Sequence, residues 1–474
     1  MPPKLSPPSS SASSPDPNPR ALPLARVALR VSLSVAAPCV LRAPLENPQM
    51  VIETGYTTPT EKASEPLMGT RLIPKERYTS TEYMELEWER MWTKVWNMAG
   101  RESDIPNVGD YFTTELGSES FLIVREAEDK VRAFYNVCPH RGNQIRNAGM
   151  GHAESFQCAY HFFEFNLDGS KKFVPDEDTF TQGVPQETAL TEVSCDTWGG
   201  FVWFNMNPDA EPLLDFLGVV AEHLAPYHFE EYAIGQDMTV EWDTNWKASV
   251  DAFNEVYHVQ GIHPQLLESL DDIHVQIDLY ERHNRYLVPF GLVSPRYPNQ
   301  NEVTQPLKQF LAGSGIDPDT FEGGMGDVRP AMQKAVRAAA VAQGMDVSGL
   351  NDDQMSDDYH YYIFPNLTLN ITALGFGFFR QRPHPTDPNK MFFDLQGYVR
   401  VPQGADPPPR PVHTQHKHGE ISIGLVMDQD SYNLPRVQKG MNSRAYKGLL
   451  INYRERRIRH MHTVLDGYLE GPDR

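Results

Sequence analysis

Two groups of metal-ligating residues stand about a hundred positions apart, and each predicts a different iron chemistry. The first is Cys138-Pro139-His140 and Cys158-Ala159-Tyr160-His161, with seventeen residues between His140 and Cys158. A structural zinc site usually draws Cys-x-x-Cys from one hairpin and two His from a helix, whereas here each loop gives one Cys and one His. That division suits a [2Fe–2S] cluster with both thiolates on one iron and both imidazoles on the other. Imidazole in place of thiolate removes negative charge and raises the reduction potential, so such a centre takes up electrons from a donor and passes them on.

The second group is Asn245-Trp246-Lys247, then Glu255-Val256-Tyr257-His258, then His263. An iron(II) that binds and reduces dioxygen needs few protein ligands and open coordination positions, which two His and one carboxylate provide. His258 and His263 are five apart, not the four that stack on a straight α-helix. Gly261 and Pro264 predict that the helix ends or bulges there, which lets the two rings converge. An electron-accepting cluster beside an open iron site is the equipment for activating dioxygen.

The elements that must position these residues are partly visible. Ser120–Arg125 and Val131–Val137 read as strands that deliver the first loop, and Gly142 and Asn166–Gly169 read as turns. Thr79-x-x-Glu82 predicts a helix cap, with Trp88, Met91, Trp92, Val95 and Trp96 as a buried helical stripe behind it. Tyr359–Phe364, Leu367–Thr372 and Met391–Val399 predict further strands. Ahead of them, the acidic stretch 296–358 holds a predicted helix, Val328–Gln343, ending at Gly344. His413-x-x-His416-x-His418 follows a Pro-rich loop and reads as a solvated face, not a third metal site. Arg454–Arg459 reads as the exposed side of a C-terminal helix.

Composition narrows the function further. The chain has 474 residues, enough for two packed domains, and a net charge of −21, which would repel a nucleic-acid backbone. Two of its four Cys are assigned to the first group, and Cys39 and Cys195 suggest no disulfide framework, which points to a reducing, cytoplasmic setting. No apolar run is long enough to cross a bilayer. Residues 1–49 hold eleven of the 39 prolines and only Asp16 and Glu46 as acids, so they are expected to be disordered, or an over-long start ahead of Met50.

Cys138-Pro-His-Arg-Gly142 resembles the first loop of the Rieske domain of ring-hydroxylating oxygenases, and 245–264 resembles the mononuclear-iron segment of the same family. The second loop departs from the family's Cys-Pro-Tyr-His-Gly-Trp, with Ala159, Phe162 and Phe163 in its place, while all four ligands are kept. Ala252 also stands where many members carry Asn. The resemblance implies an α+β chain. Residues 50–100 would form an N-terminal segment and helix packed on the catalytic domain, and 100–205 an all-β Rieske [2Fe–2S] domain. Residues 206–474 would form a helix-grip (START-like) catalytic domain, an antiparallel sheet curved around a long helix, with 296–358 as a lid.

The resemblance also assigns roles. Cys138, His140, Cys158 and His161 would hold the cluster, and His258 and His263 the iron(II). The family's acidic residue ahead of Glu-x-Val-Gln-x-Gly selects Asp430 as third ligand, with Asp428 in reserve. Glu255 would bridge an iron-ligating His and a cluster-ligating His of the neighbouring subunit. The implied protein is the terminal oxygenase of a multicomponent system using O2 and NAD(P)H. A separate reductase, with or without a ferredoxin, would feed it, because the chain shows no flavin or nicotinamide fingerprint. It would be a trimer, with a β subunit in some members. The expected substrate is an apolar, aromatic compound undergoing cis-dihydroxylation or mono-oxygenation. The alternatives are O- or N-demethylation and, in a different class, a Rieske electron carrier without oxygenase activity.

Overall fold

A computed structural model describes residues 60–471 of the chain. The expectation for residues 1–49 therefore lies outside the described residues. Among the described residues no helix is long and apolar enough to cross a membrane.

The N-terminal half is built on a seven-stranded antiparallel sheet. Its strands Glu119–Ala127 and Lys130–Tyr135 contain the two runs read from sequence, and Phe201–Asn205 closes the sheet beside Asn97–Arg101. Strict alternation splits the side chains of these strands between two cores. Leu122, Val124 and Phe134 pack with Cys138 and Cys158. Phe121, Ile123 and Ala133 join a larger core shared with the rest of the protein. A small three-stranded sheet, Phe156–Gln157, Glu164–Phe165 and Lys171–Phe173, carries the second cysteine loop.

The C-terminal half is an eight-stranded sheet in which Asn284–Val288, Asp358–Ile363, Leu367–Thr372, Gly375–Pro383, Met391–Arg400 and Tyr232–Trp242 run antiparallel as neighbours. Three helices serve the site: α1 (Trp246–Phe253), α2 (Leu425–Met441) and α3 (Arg456–Glu470). Phe253 of α1 packs on Phe379 and Phe393, and α3 reaches the same face through Arg457 and His460 to Asn284. The opposite face carries Phe376, Phe378 and Tyr398, against which Phe201 of the N-terminal sheet packs. Arg380 and Arg382 extend that contact, donating to the carbonyls of Met98 and Glu115.

Several expectations need correction. The helix cap is Ser80, whose Oγ accepts from Tyr83 N–H, while Thr79 ends the preceding turn. The stripe behind it is buried at Met91, Trp92, Val95 and Trp96, but the helix stops at Trp92, so Val95 and Trp96 reach the core from an irregular turn. Glu87 of this segment forms a buried ion pair with Lys247 of α1 at 2.7 Å. The basic run at 454–459 does not form an exposed side: Arg456 is buried and Arg457 is fully so. In the stretch 296–358, helices Gln305–Gly313 and Met325–Ala342 enclose a small core of their own around Leu307, Leu311, Val328 and Met332. It is anchored by Arg329, which donates to Asp353 and Asp357.

Candidate functional site

The two cysteine loops have the same backbone plan. In the first, Gly142 N–H donates to the Cys138 carbonyl at 3.0 Å, and Cys138 N–H donates to the Asn143 carbonyl at 2.8 Å. In the second, Phe162 N–H donates to Cys158 at 2.9 Å, and Cys158 N–H to Phe163 at 2.8 Å. Each loop closes with its fifth residue in the left-handed region, Gly142 at φ +74° and Phe162 at φ +59°. A side chain in that region costs roughly 1–2 kcal/mol, which explains why glycine serves in one loop and makes Phe162 an exception.

The matched loops bring Cys138 and Cys158 together as buried thiols in contact, and burial pushes the Cys138 thiol up. The His140 and His161 rings lie 4.6 Å apart, and His140 stacks on Phe163 with ring planes 3° apart. His140 Nδ1 is buried with no hydrogen-bond partner among the described residues. The four donor atoms do not gather within 4.8 Å as those of the second site do, so they are not arranged for one tetrahedral ion. Two thiols, two imidazoles and an orphaned ring nitrogen fit a binuclear cluster.

The second site forms where the helical path is interrupted. Helix α1 stops at Phe253, and one further turn, Val259–Ile262, follows after the irregular stretch at 254–258. The interruption thus precedes His258, a turn earlier than Gly261 and Pro264 suggested, and His258 and His263 flank the isolated turn. Asp430 of α2 faces both, its Oδ1 3.0 Å from His263 Nε2 and 3.9 Å from His258 Nε2. Asp428, the reserve, instead accepts from Ser422 and Ile423 ahead of α2. Among the described residues, His258, His263 and Asp430 are the one such group, with donor atoms within 4.8 Å. His413, His416 and His418 form none; His413 pairs with Asp237.

Both imidazoles are held from behind. Glu255 accepts His258 N–H through Oε2 and lies 2.7 Å from His258 Nδ1 through Oε1. Gln429 Oε1 stands 2.7 Å from His263 Nδ1. Each Nδ1 is therefore occupied and each Nε2 is turned towards Asp430, the orientation a metal ligand needs. Burial opposes the charged form of His258, yet Glu255 and Asp430 outweigh it and raise its pKa. Gln429 escaped sequence reasoning, and its only signal was adjacency to Asp430.

Sequence reading also missed a row of polar residues on the sheet face towards α1. Asp358, His360, Thr368, Asn370 and Gln381 each present a buried side-chain atom with no partner among the described residues, as does Asn254 after α1. The signal was the two-residue period within strands otherwise rich in Tyr, Phe, Ile and Leu. Buried polar atoms are normally satisfied, so a row without partners marks a surface completed by water or by a polar ligand.

Residues 95–188 match the family model for the Rieske [2Fe-2S] domain, and residues 229–471, about half of the chain, match that for the ring hydroxylating alpha subunit (catalytic domain). The chain is 32% identical over 229 residues to the carnitine monooxygenase oxygenase subunit of Escherichia coli, covering 47% of this chain and 59% of that protein. It is 29% identical over 222 residues to the glycine betaine monooxygenase oxygenase subunit of Pseudomonas aeruginosa, covering 45% and 52%. The matches thus span somewhat over half the length of these relatives. Among solved structures, the quaternary ammonium Rieske monooxygenase CntA in complex with L-carnitine superposes with a TM-score of 0.60 at 19% identity, covering 86% of this chain and 100% of that one. Naphthalene 1,2-dioxygenase with indole bound gives a TM-score of 0.60 at 19% identity, covering 86% and 94%. At these identities the structural likeness concerns the fold alone.

Proposed function

From its place in the family of Rieske ring-hydroxylating oxygenase alpha subunits, to which this chain belongs, we propose that the protein is the terminal oxygenase of a reductase-fed system acting on a polar quaternary ammonium compound. A [2Fe–2S] cluster on Cys138, His140, Cys158 and His161 would supply one-electron storage, and an iron(II) on His258, His263 and Asp430 would supply dioxygen reduction. Glu255 and Gln429 fix the two iron-facing imidazoles. Glu255 also offers a carboxylate to a cluster histidine arriving from a neighbouring subunit.

The observation that carries the substrate class is the row of unpartnered polar atoms from Asp358 to Gln381 facing α1. A hydrocarbon buried there would leave each polar atom desolvated and unpaired, a penalty of about 1–3 kcal/mol apiece. A polar substrate with a cationic end meets those groups, and its ammonium can lie on the rings of Phe253, Phe379 and Phe393. Similarity to the carnitine and glycine betaine monooxygenase subunits supports this reading. The expectation of an apolar aromatic substrate becomes the second reading, supported by those same rings and by 30% identity over 199 residues to the large oxygenase component of the naphthalene 1,2-dioxygenase system of Pseudomonas putida. A bare electron carrier would have no use for His258, His263 and Asp430.

Hydroxylation of a carbon bonded to nitrogen gives a product that falls apart into an amine and a carbonyl compound. The test is oxygen uptake by the holoenzyme with a surrogate reductase and NADH, scored with carnitine, glycine betaine, choline and naphthalene. Amine release coupled to uptake with an ammonium compound is the expected result. Formation of a naphthalene diol without any amine release would establish the second reading.

A further inference from the structure

Resting on the iron(II) site proposed above, we propose that Gln265 is a positioning residue for that metal: it sets which end of the Gln429 amide faces His263, and so which nitrogen of His263 is free to bind iron. The two imidazoles are backed by groups of different chemistry. Behind His258 stands Glu255, with Oε1 2.7 Å from Nδ1. A carboxylate only accepts, so in any rotation it keeps the proton on Nδ1 and leaves the Nε2 lone pair for a metal. Behind His263 stands Gln429, with Oε1 2.7 Å from Nδ1. An amide has an acceptor end and a donor end of the same shape, so Gln429 does the same work only with its oxygen inward.

The opposite sense is also self-consistent, and it closes the site. With the NH2 of Gln429 inward, Nδ1 of His263 accepts and the ring proton moves to Nε2. Asp430 Oδ1, 3.0 Å from that Nε2, is placed to accept it. His263 would then be satisfied on both sides, with no lone pair left for iron.

Gln265 breaks this tie. It lies in the turn Pro264–Glu268 that follows His263 directly, and its Nε2 donates to Gln429 Oε1 at 2.7 Å. That oxygen thus takes two donors, His263 Nδ1–H and Gln265 N–H, which fills its two lone pairs. Turning Gln429 alone would set its NH2 against the NH2 of Gln265, donor against donor. The return contact, Gln429 Nε2 to Gln265 Oε1, is long at 3.5 Å, so the pair is held mainly through the inward oxygen. A pair that only tied this turn to α2 would serve in either sense. A pair that positions His263 needs a donor at 265 and an acceptor at 429.

The test is anaerobic Fe(II) titration of the full chain, stripped of mononuclear iron with its cluster intact, in competition with a chromogenic chelator. Gln265→Glu puts an acceptor where a donor stands, so Gln429 should turn its NH2 inward and Fe(II) affinity should fall about tenfold or more. Added negative charge by itself acts the other way and tightens the binding of a cation. Affinity equal to or above that of the wild type, in a variant that keeps the cluster spectrum, therefore overturns the proposal. Gln429→Glu presents oxygen in any rotation and should hold Fe(II) at least as tightly as the wild type; a loss there also overturns it. Gln265→Ala should weaken Fe(II) by about threefold or more in the wild-type chain, but by less than about twofold when combined with Gln429→Glu. An equal loss in both backgrounds would mean that Gln265 only ties the turn to α2, and this comparison decides the matter if Gln265→Glu does not fold. A wild-type chain that takes up no iron beyond its cluster would overturn the iron site itself, an outcome distinct from any loss confined to the variants.

Discussion

His263 and Cys158 separate the two metal sites in a way that a metal count can read. His263→Ala should bring iron from about three to about two per chain and leave the visible spectrum of the cluster intact, whereas Cys158→Ser should abolish that spectrum. Glu255 tests communication between the sites. In Glu255→Ala both sites should still load, because Glu255 holds His258 only through its far nitrogen and backbone. Oxidation of the reduced cluster in a single turnover should nevertheless slow by about 10–100-fold or more. Oxidation at the wild-type rate with product formed would reduce Glu255 to a cap for its own loop. Phe162 poses a different question, since it holds a left-handed backbone while 56% exposed. Phe162→Gly should shift folding stability by less than about 1 kcal/mol, because released strain and added unfolded-state entropy offset. A thermal unfolding scan that shows a larger loss would mean that the ring packs against something that covers it in the assembled protein.

At the scale of elements, the carboxylate of Asp394 ties the two sheets together. It accepts from Thr239 at 2.6 Å, from Arg380 at 2.7 Å and from Arg382 at 2.7 and 2.9 Å, and those arginines also hold Met98 and Glu115. Burial alone would raise its pKa, but the two guanidiniums hold it well below the usual carboxylate range. Its native value lies below its unfolded one, so its contribution is whole above an unfolded pKa of about 4 and is lost as pH falls beneath it. Asp394→Asn should therefore flatten the acid limb of stability, measured by denaturant unfolding from about pH 5 to about pH 3, and cost about 3 kcal/mol at neutral pH. The strands that carry these residues were partly legible. Leu367–Thr372 appears with the bounds read from sequence, because β-branched and apolar residues dominate it, while Gly375–Pro383 went unread behind its glycines and arginines. His258 and His263 were legible as a pair because their spacing does not suit a straight helix. The position of the helical break was not, since no proline or glycine marks 254–258. Arg457 was misread because a run of charges predicts solvent by composition, and only the tertiary fold shows which member turns inward.

At the scale of the whole molecule, no hydrogen bond, ion pair or ring contact joins the cysteine loops to His258, Glu255 or His263 among the described residues. On the proposed relay through Glu255 the cluster histidine comes from a second copy, and sedimentation of the purified protein should then find a trimer of this chain. A monomer that turns over would overturn the relay through Glu255. Within one chain, by contrast, the two halves share a single large core that runs from Trp92 and Phe121 through Phe201 to Phe376 and Phe393. Arg101 lies against the Phe201 and Tyr398 rings across that boundary and donates to the Phe229 and Tyr232 carbonyls. The consequence concerns how such proteins can be recombined. Two metal sites on one chain invite cutting near residue 206 to graft a foreign electron-accepting half onto this catalytic half. That seam runs through shared core, so a chimaera that exchanges only the sequence before the cut would mismatch Phe201, Arg101 and the carbonyls of Met98 and Glu115 with their partners. Grafts that carry Phe376, Phe378, Arg380, Arg382 and Tyr398 along with the donor half should fold where simple fusions aggregate, which makes these five positions the practical border between the two modules.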